Sequence, residues 1–110
     1  MIHFKYTILY VDDVNTTLIF YEKAFGFKRK FISPDNEYGE LETGETTLSF
    51  ASKTLAASNL KKGFIESDLS NKPFAIEIGF ATDNVEATVN TAVSAGATIL
   101  EHPKTTSWGQ

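Results

Sequence analysis

The sequence predicts an α+β fold of two βαβββ modules, the second incomplete, forming a cupped mixed sheet with helices on the outer face. Three observations carry this. A strand-like run, an aspartate, a helical stripe and a glycine follow one another twice, from Asp12 to Gly26 and from Asp83 to Gly96. Three more strand-like runs follow the first glycine, separated by turn residues. The run FAIEIGF, Phe74 to Phe80, alternates bulky apolar residues with Ala75, Glu77 and Gly79. Alternate side chains of a strand point to opposite faces. Phe74, Ile76, Ile78 and Phe80 are therefore expected to pack on a helix, and the opposite face, nearly bare, has the pattern of a cavity wall holding one acid.

Taken in order, Tyr6 to Val11 is β-branched and aromatic and reads as a strand. Asp12 and Asp13 offer an N-cap to a helix starting near Val14. Val14, Leu18, Tyr21 and Phe25 form one helical stripe, and Gly26 supplies a left-handed C-cap. Phe27 to Ile32, Glu37 to Thr43 and Thr46 to Ala51 read as a meander of strands, with turns at Ser33 to Asn36 and at Gly44-Glu45. Residues 1–52 are thus the first module. Residues 53–73 show no clear period and read as a connecting loop with one helical turn, long enough to suggest a function or a link between modules.

Residues 74–110 form the second module. After FAIEIGF, Asp83 and Glu86 make a capping-box pattern. Val85, Val89, Ala92 and Val93 form the apolar stripe of its helix, Gly96 ends it, and Ala97 to Leu100 is a short strand. The aspartate-to-glycine interval is 14 residues in the first unit and 13 in the second. Laying Asp12 on Asp83 lays Tyr6 on Glu77, Thr7 on Ile78, Ile8 on Gly79 and Leu9 on Phe80. A slip of one residue would exchange the faces, so the agreement points to a duplicated unit. The second unit is expected to lack its C-terminal hairpin, missing or truncated, and the edge left bare is expected to be covered by a partner chain or by loop residues.

Net charge is −4 and no strongly basic face is evident, which argues against nucleic acid as a partner. There is no cysteine, hence no disulfide, thiolate nucleophile or zinc–sulfur site. The N-terminus lacks the apolar core of a signal peptide and no run has membrane-spanning length, so a cytoplasmic protein without membrane contact is expected. No phosphate loop or nucleophile elbow is visible. His3 and His102, the two histidines, lie far apart and read as surface residues. Lys28, Arg29 and Lys30 read as a solvated strand edge that discourages pairing.

The pieces YTILYVDDV…FYEKAFGF and FAIEIGFATDNVEATVNTAVSAGA…EHPKTTSWGQ resemble the vicinal oxygen chelate superfamily, the glyoxalase, bleomycin-resistance and extradiol-dioxygenase group. The resemblance implies two modules sharing a cupped sheet, commonly in a homodimer. The cup holds a divalent metal in the enzymes and a drug in the resistance proteins. Carried over position by position, the ligand of the first strand falls on Tyr6, that of the fourth near Ser49 and that of the fifth on Glu77. A fourth would lie beyond Gln110. Only Glu77 is a good ligand, and catalytic metal sites keep about three from protein, so a divalent metal is a cofactor the resemblance allows but these residues hold poorly.

Tyr6, Tyr10, Ser49, Glu77 and Trp108 are the candidate ligand-binding residues, with Glu77 the candidate catalytic group. Against Glu77 stands an exposed sheet acid with no role; its setting between Ala75 and Gly79 favours a concave site. The tyrosines serve equally well as packing residues with wet hydroxyls, and Ser49 as a small wall residue. Trp108 resembles the aromatic at the family's pocket mouth. The expected function is metal-free binding of a small aromatic or cationic molecule by a homodimer. The alternatives are a metal-dependent lyase or isomerase of the glyoxalase (lactoylglutathione lyase) type with Glu77 as ligand or base, and a non-catalytic scaffold.

Overall fold

The structure is a computed structural model, described here over residues 1–104. Its centre is a four-stranded mixed sheet in the order β1-β4-β3-β2, formed by β1 (Tyr6–Val11), β2 (Lys28–Ile32), β3 (Tyr38–Glu42) and β4 (Thr47–Ser52). β1 runs parallel to β4; the other two pairings are antiparallel. Three helices accompany it: α1 (Val14–Phe25), α2 (Lys53–Asn59) and α3 (Val85–Ser94). The α+β class and the strand, helix and turn pattern of the first half therefore follow the sequence reading.

The helix ends have local causes. The Asp13 carboxylate accepts from the Thr16 amide, and Gly26 closes α1 at φ +72° while its N–H donates to Glu22. Ser52 caps α2 through the Leu55 amide, so the connecting segment holds two helical turns rather than one. α3 is capped by Asn84, not Asp83: the Asn84 side chain accepts from the Ala87 amide. Asp13 and Asn84, like Val14 and Val85, stand 71 residues apart, so both helices start in the same register.

Register divides the sheet into two faces. Leu9, Phe50 and Gly39 are paired across β1, β4 and β3, so they share a face. That face packs on α1, with Val14, Leu18, Leu41, Leu48 and Phe50 as the buried core. α1 comes close to the sheet because residue 39 is glycine. A Cβ there would lie 2.6 Å from Cδ1 of Leu18 and 3.1 Å from Cγ1 of Val14. Leu18 is fully buried, so making way for that Cβ would disturb the core around it. Arg29, expected at a solvated edge, turns to this face instead. Its guanidinium donates to Asn15 at 2.8 Å and Glu22 at 2.9 Å on α1. The bulge between Arg29 and Phe31 makes that turn.

The second half departs from expectation. Phe74 to Phe80 and Ala97 to Leu100 are not strands of the sheet. FAIEIGF lies beside the free edge of β1: Phe74 and Ile76 line one cavity with Ile8 to Val11, and Ile78 to Phe80 line another with Thr7. A strand pattern creates strand only where a backbone ladder is met. Here no ladder is met, and the Phe80 ring packs edge-on against Phe25 and Phe27, each at 5.0 Å. Phe74, Ile76 and Ile78 stay exposed instead of packing on a helix. The segment before it is held by Lys53, whose ammonium bonds Asp12 at 2.9 Å and the Ser67 carbonyl at 2.7 Å.

Gly39→Ala should destabilise the fold by about 1–3 kcal/mol, the usual cost of overpacking. In a Leu18→Ala background the same change should cost less, because the clashing methyl is gone. Denaturant unfolding of the four proteins of this cycle measures both; equal costs in the two backgrounds would contradict the packing account.

Candidate functional site

The face of the sheet opposite α1 carries the chemistry. Ile8, Ser49 and Glu40 are paired across β1, β4 and β3, and Phe31 extends the row on β2. Tyr10, Ala51 and Tyr38 form the adjacent row, and Tyr6 with Thr47 the row on the other side. Tyr6, Ile8 and Phe31 are 46%, 45% and 46% exposed, a concentration of apolar surface that core packing does not explain. Beneath them Glu40 is 7% exposed and Ser49 fully buried.

Burying a carboxylate is costly unless it is paired. The Tyr38 hydroxyl donates to Oε2 of Glu40 at 2.7 Å. The Lys30 ammonium lies 3.8 Å from Oε1, within ion-pair range but beyond a hydrogen bond. The Ser49 Oγ is buried and has no hydrogen-bond partner. Burial pushes the Tyr38 phenol up to about 12, Ser49 opposing the shift and the Glu40 carboxylate adding to it. Tyr38 thus stays a proton donor at any ordinary pH, and it holds one carboxylate oxygen in place. Burial raises the Tyr21 phenol as well, on the other face.

Of the residues singled out in the sequence, Tyr6, Tyr10 and Ser49 come together on this face. Tyr10 is half-buried and stacks edge-on against Phe64 at 4.9 Å. Glu77 is exposed and opens onto a different cavity of about 250 Å³, shared with Thr7, Thr43, Thr46 and Thr47. Tyr10 lines a separate cavity of about 350 Å³ with Phe64, Ile65, Phe74 and Ile76. Trp108 lies outside the described residues. Sequence reasoning missed Glu40 and Tyr38. The signal was present: a two-residue turn at Gly44-Glu45 sets the hairpin register so that Glu40 falls opposite Ser49.

The donor set suits a divalent metal poorly. It offers one carboxylate, already holding a phenol proton, with a serine and tyrosines; hard cations want several oxygen ligands, usually carboxylate-rich. Among the described residues no three of His, Cys, Asp and Glu gather as a metal site. Among them, too, no helix is long and apolar enough to cross a membrane.

The architecture is α+β, with a four-stranded mixed sheet that packs α1 on one face and leaves Tyr6, Ile8 and Phe31 exposed on the other. The family model for the Glyoxalase/Bleomycin resistance protein/Dioxygenase superfamily matches residues 3–110, and the chain belongs to that superfamily. No curated protein matches the chain at a significant level. Solved structures share its fold. A glyoxalase/bleomycin resistance protein/dioxygenase family enzyme from Burkholderia phytofirmans is 22% identical, with 96% of this chain and 82% of that one covered at a TM-score of 0.67. A hypothetical protein from S. aureus is 22% identical, with 97% and 80% covered at 0.76. A glyoxalase/bleomycin resistance protein/dioxygenase from Nocardioides is 12% identical, with 98% and 71% covered at 0.71.

Because the Tyr38 phenol is raised, the unfolded chain loses this proton first, near pH 10, and the folded chain only near 12. Stability is therefore intact below pH 10 and falls as pH rises from there toward 12. Denaturation free energies measured across that window should decline less steeply in Tyr38→Phe. An unchanged slope would mean the phenol is not buried against Glu40.

Proposed function

We propose that this protein binds a small, flat, aromatic molecule over the open sheet face, without a tightly held metal. The observation that carries the reading is the placement of exposed Tyr6, Ile8 and Phe31 above a buried, hydrogen-bonded Glu40 and an unpartnered Ser49. Ligand sites are mostly apolar with a few fixed polar groups that orient the guest, and this face has both parts. The apolar groove of about 410 Å³ between α3 and residues 97–103 competes for the same role. It lacks a comparable anchor, since the buried polar residues among those described are Glu40, Ser49 and Ser52.

Membership in a superfamily whose name joins glyoxalase, bleomycin resistance protein and dioxygenase supports a small-molecule ligand and leaves the chemistry open. The poor metal donor set favours binding over metal-assisted turnover. Glu77 would contribute only if its segment closes over the face, and a homodimer would supply further walls to the cup.

Titration with the neutral probe 2-naphthamide, followed by amide chemical shifts, tests the reading. Shifts should centre on β1, β3 and β4 and persist in EDTA. Tyr6→Ala should weaken binding about tenfold, the worth of one aromatic contact and its buried area. Shifts centred on Val85 to Val93, or binding abolished by EDTA, would overturn it.

A further inference from the structure

Glu40 is a half-satisfied acceptor. Its Oε2 takes the Tyr38 proton at 2.7 Å, while Oε1 faces only the Lys30 ammonium at 3.8 Å. Lys30 is no fixture: its side chain is 50% exposed and sits at the bulge of an outer strand. An exposed lysine at that distance holds its partner weakly and surrenders side-chain entropy to do so. On the paired position of β4 lies the buried Ser49 hydroxyl, which has no partner. Buried hydroxyls without partners are rare and costly. The face therefore presents one anionic acceptor and one unmatched hydroxyl, rimmed by Tyr6, Ile8 and Phe31.

We infer that the open face selects a cationic N–H donor carried on a flat apolar body, an amidinium or protonated amine, which displaces the Lys30 ammonium and hydrogen-bonds Oε1 of Glu40. The inference rests on the open-face binding reading and names its ligand class. Tyr38 is a positioning residue: it holds Oε2 and leaves Oε1 as the free acceptor before the ligand arrives. A planar, forked cation gains most, because its several donors lie in one plane. An anionic ligand of the same shape meets a buried carboxylate and is rejected. The overall charge of −4 favours the approach of a cation in the same sense.

Three probes of one shape test this: 2-naphthamidine, 2-naphthamide and 2-naphthoate, titrated by chemical shift. The wild-type protein should bind the amidine about tenfold more tightly than the amide, the scale of a charge-assisted hydrogen bond, and the carboxylate least. Glu40→Gln should erase the preference for the amidine, so that amidine and amide bind with equal affinity. Lys30→Ala should tighten amidine binding, because the competing ammonium is gone; a merely structural ion pair would give no such gain. Equal binding of amidine and amide, still lost in Tyr6→Ala, would overturn the charge inference and leave the open-face reading standing. No shift on β1, β3 or β4 with any probe would overturn both.

Discussion

The register of the β3–β4 hairpin is the constraint on which the rest of the structure depends. One alignment places Gly39 beside Phe50 on one face and Glu40 beside Ser49 on the other. The first pairing lets α1 descend onto the sheet, since any side chain at residue 39 would strike Leu18 and Val14. The second gathers the buried polar pair under the open face. A slip of one residue would send Glu40 into the core and Leu41 into water. Core packing and site geometry are therefore two consequences of one set of backbone hydrogen bonds. Thr43 reinforces that alignment at the turn, where its hydroxyl donates to the Thr46 carbonyl and accepts from the Leu48 amide.

The sheet divides its labour between faces in an unequal way. On the α1 side the contacts are apolar and aromatic: Tyr21 lies 5.1 Å from Phe50, and Phe25, Phe27 and Phe80 continue the cluster. Dispersion and burial dominate there, and the single guanidinium that enters, Arg29, is neutralised by Glu22. On the open side apolar rings remain exposed over the buried Glu40 and Ser49. Such an arrangement is poor for stability and useful for recognition, because desolvated charge and exposed aromatic surface both gain on meeting a complementary molecule.

The chain belongs to the Glyoxalase/Bleomycin resistance protein/Dioxygenase superfamily, and its sheet carries α1 on one face and the candidate site on the other. A tyrosine stands at the first-strand position and a serine on β4, while the carboxylate comes from β3. What the face offers is hydrogen-bonding and aromatic contact rather than a set of metal ligands.

The sequence alone determined the elements whose causes are local. Periodicity, Asp13 and Gly26 set α1; turn residues set the meander; the interval between the two helix starts recurs because both units carry the same cap-and-stripe pattern. The pairing of Glu40 with Ser49 was also legible, from the two-residue turn alone. What only the tertiary structure decided was the fate of groups whose energy depends on distant neighbours. FAIEIGF has a strand's alternation, yet only its Phe80 joined the aromatic cluster on α1, and no ladder formed. Arg29 looked solvated until Asn15 and Glu22 met it across the bulge. Glu40, one residue of a predicted strand, is buried in the fold with the Tyr38 hydroxyl bonded to it and the Lys30 ammonium nearby. Hydrogen bonds between near neighbours are written in residue order; desolvation is set by whatever the folded chain brings alongside.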